Sequence, residues 1–299
     1  MINNQIIAVW GSPNSGKTTT SIKIARELSK NKKNVIVVMG DIVAPALMTV
    51  LPEIDMRDKS LGKVLSAPQI TQESIMAECI TLKKNEYIAL LSYKQGDNVF
   101  TYADYERERA VDFLILLRHL ADYIIIDCNS YIENDMLSAT ALELSDLVLR
   151  HITCDLKSIS FYDSHLPLIA SSLYKADKHI KILSNIKEYQ SKSGVIQRYN
   201  GVKYQSDYSR ELEEQFLCGE LLKPLELKES ISSKRVITDI ADIILYGGKD
   251  KKEEKQSEIN VDKIIPIKLH RKANINNKIK SITEKIKLPR LNKKRGYHE

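Results

Sequence analysis

The sequence predicts an α/β protein in which helices cover both faces of a mostly parallel, doubly wound sheet, giving three layers. Short apolar runs alternate with helical patterns from residue 5 to residue 245. Near-continuous apolar strands separated by helices are typical of a parallel sheet that is covered on both faces. A segment containing glycine, residues 11–18, lies between the first apolar run and the first helical pattern. A loop at that place brings a helix N-terminus to the edge of the sheet where ligands bind in such folds.

The hydrophobic pattern indicates six strands and six helices along the chain. The predicted strands are residues 5–10, 34–39, 87–91, 123–126, 147–149 and 180–183. The predicted helices are residues 18–30, 105–120, 136–144, 157–174, 210–217 and 232–245. Gly247 and Gly248 follow, and a run of charged residues comes after them. We therefore expect one domain over residues 1–247, and a charged linker with a basic tail over residues 248–299.

The segment GSPNSGKT, residues 11–18, matches the pattern G-x-x-x-x-G-K-[ST] of the P-loop. Gly11 and Gly16 allow the backbone to wrap around an anion without a steric conflict from a Cβ atom. Lys17 is expected to reach the β- and γ-phosphates, and the Thr18 hydroxyl is expected to bind Mg²⁺. The predicted fold is therefore a P-loop NTPase fold. The predicted nucleotide-binding residues of this region are Gly11, Ser12, Pro13, Asn14, Ser15, Gly16, Lys17, Thr18 and Thr19.

Two aspartates follow predicted strands and complete the expected site. Asp127 ends the apolar run 123–126, which is the Walker B pattern, and its carboxylate would support Mg²⁺ directly or through water. Asp41 follows the second strand and is expected at the same crevice, where it would position the attacking water or hold the water shell of the metal. The alternatives are a strand-end cap for Asp127 and a turn residue for Asp41. We expect Lys17, Asp41 and Asp127 to be catalytic, and Thr18, Asp41 and Asp127 to hold the magnesium.

The segment Gly16-Lys17-Thr18-Thr19, together with Asp41 and Asp127, resembles the ParA/MinD family of P-loop ATPases. The resemblance covers residues 1–247 and implies ATP and Mg²⁺ as ligands, ATP hydrolysis, and a homodimer that depends on nucleotide. Residues 184–187 resemble the segment in which the family recognises adenine, which implies that Asn185 reads the base. Residues 207–212 resemble the family's P-Y-D segment and the helix after it, although the proline is absent.

One loop position departs from the family pattern. The family has a second lysine directly after the first glycine of the loop, and this lysine reaches the nucleotide of the partner subunit. Ser12 stands at that position in this chain. Because charge stabilisation is most of phosphoryl-transfer catalysis, we expect slow hydrolysis or a switch that mainly binds nucleotide. The change also weakens the expectation of a nucleotide-sandwiched dimer. In this respect the chain is similar to the TadZ/CpaE branch, whose members help to position pilus or secretion machinery.

The net charge of +6 is concentrated in the C-terminal segment. Residues 248–299 contain 16 Lys and Arg against 7 Asp and Glu, whereas the rest of the chain is slightly acidic. Within them, four isoleucines follow helical spacing and have lysines beside them. Such a segment would suit an anionic membrane surface, as in MinD-like proteins, the phosphates of DNA, or a protein partner. It also fits a solvated tail, and these alternatives remain open. The isoleucines are Ile275, Ile279, Ile282 and Ile286.

The composition argues against several other classes of protein. The four cysteines are far apart and form no C-x-x-C pair, so we expect neither a zinc site nor a disulfide framework. No apolar run approaches the ~20 residues that span a bilayer, and we expect no cleaved signal peptide. The predicted location is the cytoplasm, or the inner face of the membrane if the tail attaches there.

Three function classes compete on these observations. The first is an ATPase switch that localises at a membrane or at a protein machine, and so positions or regulates a pilus, secretion or conjugation machine. The second is a partition ATPase that binds DNA without sequence preference through the basic tail. The third is a metabolic P-loop enzyme, which we favour least because the sequence shows no second set of residues for an acceptor substrate.

Overall fold

The computed structural model describes residues 4–52 and 59–247, which form a single mixed sheet with helices on both faces. The strands are β1 (Gln5–Gly11), β2 (Val35–Met39), β3 (Ile80–Thr81), β4 (Ile88–Ser92), β5 (Tyr123–Asp127), β6 (Leu147–Thr153), β7 (His179–Ile186) and β8 (Val202–Asp207). Their order in the sheet is β3-β4-β2-β5-β1-β6-β7-β8. Every neighbouring pair is parallel except β3 with β4.

The helices divide between the two faces of the sheet. They are α1 (Lys17–Ser29), α2 (Leu61–Ser66), α3 (Gln72–Glu78), α4 (Arg107–Arg118), α5 (Met136–Leu144), α6 (Leu156–Ile169), α7 (Ser193–Tyr199), α8 (Arg210–Leu217) and α9 (Ile231–Tyr246). In β1, Ile7 and Val9 pack in the core that includes α1 and α9. Ile6 and Ala8 pack on the other face, in the core that includes α2 to α5. Because both faces are covered, the central strands are mainly apolar, and the predicted three-layer fold is confirmed.

The order of the central strands brings three loops to one edge of the sheet. In the register of the parallel ladder, Asp127 at the end of β5 lies opposite Val9 in β1 and Met39 in β2. The carboxyl ends of β1, β2 and β5 therefore lie side by side at the same edge of the sheet. The P-loop segment follows β1, and Asp41 follows β2. This edge is where open α/β sheets bind ligands.

The structure differs from the predicted elements in the outer strands of the sheet and in several helices. Strand β8 was not predicted because its residues alternate between half-buried and exposed, so the sequence has no apolar run there. Strand β3 has two residues, and the helices α2, α3 and α7 have six or seven, too few for a periodic signal. Helix α6 ends at Ile169 rather than at Tyr174, because Ser171 is extended and caps a separate 3-10 turn.

The predictions for the C-terminal tail, residues 248–299, lie outside the described residues. In the described part of the chain, no helix is both long enough and apolar enough to cross a membrane.

Candidate nucleotide-binding site

The P-loop segment connects the end of β1 to the start of α1, as the sequence predicts. Gly11 is the last residue of β1, and a Cβ atom there would lie 2.0 Å from the carbonyl oxygen of His151 in β6. Gly16 has φ 86° and ψ 22° at the N-cap of α1, in the left-handed region that glycine adopts without strain. The two positions therefore require glycine for different reasons. Gly11 allows a close approach of the backbone of β6, and Gly16 allows a left-handed turn.

Two neighbouring strands and helix α6 hold the loop in place through three contacts. The Ser12 N–H donates to the His151 carbonyl at 3.2 Å. The Ser184 hydroxyl, near the end of β7, donates to the Ser15 carbonyl at 2.6 Å. The Ser12 hydroxyl is hydrogen-bonded to the Ser158 hydroxyl in the first turn of α6. The loop is thus anchored to β6, β7 and α6 as well as to its own flanking elements, which preorganises it for an anion.

Lys17 lies at the first position of α1 and points back toward the loop and the segment after β5. Its Nζ donates to the Ser130 hydroxyl at 2.7 Å and to the Ser12 carbonyl at 3.3 Å. Burial lowers the pKa of Lys17, and the carboxylates of Asp127 and Asp41 act in the opposite direction. A half-buried ammonium that donates to two neutral oxygens is well placed to exchange them for phosphate oxygens.

Thr18 and Asp127 are in direct contact. The Thr18 hydroxyl donates to Asp127 Oδ2 at 2.6 Å, and Asp127 is only 4% exposed. Asp127 Oδ1 is buried and has no hydrogen-bond partner. Burial raises the pKa of Asp127 to about 6, although Lys17 and the Thr18 hydroxyl lower it. A hydroxyl beside a carboxylate with an unpartnered oxygen fits Mg²⁺, which prefers such oxygen donors and takes further ligands from phosphates and water.

Asp41 lies at the same edge and acts as a turn residue in the structure. Its Oδ1 accepts hydrogen bonds from the N–H groups of Val43 at 2.9 Å and Ala44 at 3.1 Å. The same oxygen accepts from the Asn129 side-chain amide at 3.1 Å, which ties the segment after β2 to the segment after β5. Asp41 is therefore a turn residue in the structure, and its carboxylate raises the pKa of Lys17 against the effect of burial.

Asn185 lies beside the loop, although it is within β7 rather than after it. Its φ of 56° is left-handed, and the ladder between β7 and β8 is irregular between Leu183 and Ile186. Asn185 is exposed and lines a cleft of about 320 Å³. The cleft is lined by residues from the loop, from the segment after β6 and from the end of β7: Ser12, Pro13, Asn14, Thr153, Asp155, Lys157, Ser158, Asn185, Lys187 and Gln190.

Comparison with known protein families identifies the domain. Residues 5–194, more than half of the chain, match the model of the AAA domain family AAA_31. The chain belongs to this AAA domain family. An uncharacterized ATP-binding protein of Methanocaldococcus jannaschii is 31% identical to the AAA-domain protein described here over 164 residues. That match spans 53% of this chain and 56% of the relative, so the chain covers little more than half of the relative's length.

Solved structures place the fold of this AAA-domain protein with ParA and MinD. A ParA family ATPase of Chlorobium tepidum TLS superposes with a TM-score of 0.64, at 16% identity, over 80% of this chain and 98% of that chain. MinD of Pyrococcus horikoshii OT3 with Mg-ADP gives 0.60 at 18% identity, over 79% and 95%. A protein assigned to plasmid partition in Borrelia burgdorferi B31, with AMPPNP, gives 0.62 at 18% identity, over 79% and 97%. The predicted ParA/MinD resemblance is confirmed.

Several residues of the site in this AAA-domain protein were not predicted from the sequence. Ser130, which holds Lys17, follows Asp127 by three positions and belongs to no pattern. Asn129, which holds Asp41, is equally inconspicuous. Ser158 and Ser184 lie 146 and 169 residues from the loop positions that they contact. Their hydroxyl groups become recognisable as site residues only when the strand order brings β6, β7 and α6 to the loop.

Proposed function

We propose that this chain binds ATP with Mg²⁺ at the P-loop edge of the sheet, hydrolyses it slowly, and acts as a ParA/MinD-like switch. The convergence of Lys17, Thr18 and Asp127, with Asp127 Oδ1 left unpartnered, is the observation that carries the proposal. The relative in M. jannaschii is named an ATP-binding protein, and two structural neighbours hold AMPPNP or Mg-ADP. These names support ATP and Mg²⁺ as the ligands of this chain.

Each residue has a proposed role that follows from its chemistry. Lys17 donates to the β- and γ-phosphates after leaving Ser130. Residues 11–19 enclose the phosphates with backbone N–H groups, to which Pro13 contributes none. Thr18 and Asp127 would hold Mg²⁺, which when bound neutralises charge on the phosphates. Asp41 accepts a hydrogen bond from the attacking water or from the water shell of the metal. Asn185, in the cleft beside the loop, reads the base.

The proposed hydrolysis is slow because position 12 supplies no charge. Ser12 is 1% exposed, and its hydroxyl is used by Ser158. The positive charge of the loop therefore comes from Lys17 alone, whereas phosphoryl transfer needs charge stabilisation distributed over the transferred group. We propose a long-lived ATP state and a nucleotide-dependent homodimer as its output, with residues 1–247 as the ATPase domain and residues 248–299 as a separate effector segment.

The proposed biological output is the positioning or regulation of a pilus, secretion or conjugation machine, as in the TadZ/CpaE branch, through a protein partner. Partition of DNA is the alternative. The likeness to the Borrelia protein assigned to plasmid partition favours it, as does the basic C-terminal segment. The two outputs differ in the surface that residues 248–299 would bind, an anionic membrane in the first and duplex DNA in the second.

The deciding experiment is ATP binding and turnover by the full chain, with Lys17→Ala as the control, alone and with anionic liposomes or duplex DNA. Mg²⁺-dependent binding that Lys17→Ala abolishes, with turnover raised by liposomes, supports the first output. Turnover raised by any duplex, with an effect that fades as salt increases, supports the alternative. An intact chain that binds no nucleotide would refute the proposed function.

A further inference from the structure

The cleft beside the P-loop contains a lysine that has no partner in the described part of the chain. Of the charged residues that line it, Asp155 accepts hydrogen bonds from the Ser158 N–H at 2.8 Å and from the Thr153 hydroxyl. The Nζ of Lys187 lies 5.6 Å from the centre of the Tyr208 ring. Lys157, by contrast, is exposed and forms neither a hydrogen bond nor an ion pair with the described residues.

The position of Lys157 in its helix is locally unfavourable. Lys157 is the second residue of α6, and a cation in the first turn of a helix faces the positive end of the helix dipole. Two other helices with more than seven residues, α4 and α8, begin with an arginine, and each arginine is paired with a carboxylate: Arg107 with Glu143, and Arg210 with Glu214. Helix α1 begins with Lys17, the predicted phosphate ligand. Lys157 thus resembles Lys17, and not the two arginines, in lacking a carboxylate partner.

The first turn of α6 is held against the P-loop, so that Lys157 has a defined place beside it. Ser158, the next residue, is 3% exposed and shares a hydrogen bond with Ser12. Its hydroxyl also accepts from the Thr153 N–H at 3.0 Å, which fixes the turn to the end of β6. The backbone of Lys157 is therefore rigidly placed at the cleft, while its flexible four-carbon side chain remains free to reach a ligand.

We propose that Lys157 contacts the polyphosphate chain of the bound nucleotide from the α6 side of the cleft, as a second lysine beside Lys17. This inference rests on the proposed function, because it requires a nucleotide on the loop. An unpaired cation at the start of a helix is locally unfavourable, and the negative charge of the bound ligand would compensate for this cost. Lys157 would also supply, from the same chain, the positive charge that Ser12 does not supply.

The test is calorimetric binding of Mg²⁺–AMPPNP and of AMP to the full chain and to four variants. Lys157→Gln removes the charge, and Lys157→Arg keeps it. Lys234→Gln is the matched control, because Lys234 is an exposed lysine in α9 that forms neither a hydrogen bond nor an ion pair with the described residues. Lys17→Ala tests the proposed function itself.

We expect Lys157→Gln to weaken AMPPNP binding about fivefold to tenfold at low salt, as loss of one charge-assisted contact would. AMP should be affected less, the difference should shrink as salt rises, and Lys157→Arg and Lys234→Gln should bind as the intact chain does. The inference is overturned if Lys157→Gln weakens the binding of AMP and AMPPNP equally, or if its effect is no larger than that of Lys234→Gln. Loss of AMPPNP binding in Lys17→Ala would still support the ATP site in that case. An intact chain without nucleotide affinity would overturn both.

Discussion

The Thr18 hydroxyl and the Asp127 carboxylate are joined by a hydrogen bond of 2.6 Å, across 109 residues of sequence. The contact places the first turn of α1 against the end of β5, in the centre of the sheet. It uses only one oxygen of the carboxylate, since Asp127 Oδ1 is buried without a partner. The fold therefore holds a hydroxyl and a carboxylate side by side, in an arrangement that suits a magnesium ion.

Replacing Thr18 with alanine should uncouple nucleotide binding from magnesium. The intact chain should bind ATP about tenfold or more tightly with Mg²⁺ than with EDTA, because the metal links the phosphates to protein oxygens. In Thr18→Ala this ratio should fall close to one, as measured by calorimetry in the two buffers. Thr20→Ala is the matched control, since the Thr20 side chain makes no hydrogen bond in the described structure. An unchanged ratio in Thr18→Ala would contradict the assigned role.

Nucleotide binding should change the fluorescence of Trp10, the single tryptophan of the chain. The Trp10 indole N–H donates to the Ser130 carbonyl at 2.9 Å, and the Ser130 hydroxyl accepts from Lys17. When Lys17 turns to phosphate, Ser130 loses this partner and the indole environment changes. We expect an ATP-dependent change in emission that is at least halved in Ser130→Ala. The change should be intact in the control Ser160→Ala, which alters an exposed serine of α6. Equal changes in both variants would show that Ser130 does not relay the signal.

Glu211 should be essential for stability rather than for activity. It is 8% exposed, and its carboxylate accepts from the N–H groups of Glu226 at 2.7 Å and Leu227 at 3.1 Å and from the Ser230 hydroxyl. Glu211→Ala leaves these donors unpaired and should lower the free energy of unfolding by about 2–4 kcal/mol. Glu214→Ala, which removes an exposed ion pair with Arg210, should cost less than about 1 kcal/mol. Urea denaturation measures both, and equal losses would refute the assignment.

Stability should rise with pH above neutrality because of Lys23. This lysine is 3% exposed and donates to the Lys223 carbonyl at 2.7 Å and to the Gln215 side chain. Burial, aided by the nearby charge of Arg26, lowers its pKa from 10.5 to about 7. Between these two pKa values the unfolded chain binds the proton and the folded chain does not, so the free energy of unfolding increases with pH. Below pH 7 both states are protonated and this dependence disappears.

The measurement is the free energy of unfolding in urea at several pH values from 7 to 9. Lys23 should contribute at most about 1.4 kcal/mol per pH unit to the slope. Lys23→Met should lose this contribution, whereas Lys234→Met, at an exposed position, should keep it. Identical slopes in the intact chain and in Lys23→Met would show that Lys23 keeps its proton in the folded state.

The sequence alone was sufficient to predict the centre of the fold and to select the residues of the proposed site. The P-loop residues and the apolar runs of β1, β2 and β5 are contiguous patterns, because backbone conformation and hydrophobic period are local properties. Asp41 and Asp127 were recognisable for the same reason, since each directly follows such a run. The half-buried edge strand β8 was missed, because a strand that is exposed on one face carries no continuous apolar signal.

Only the tertiary structure determines which groups hold the site in place. Ser130, Ser158 and Ser184 are ordinary serines in the sequence, and their hydroxyl groups meet Lys17 and the P-loop only because strand order and register place them there. Likewise, Lys23 lies in an amphipathic helix, where the sequence allows a solvated lysine, and its burial follows from α8 and the segment after it packing on α1. Local pattern thus determined which residues are proposed to bind the nucleotide, and packing between distant segments determined which residues hold them in place. Contacts between distant segments depend on how the whole sheet is assembled.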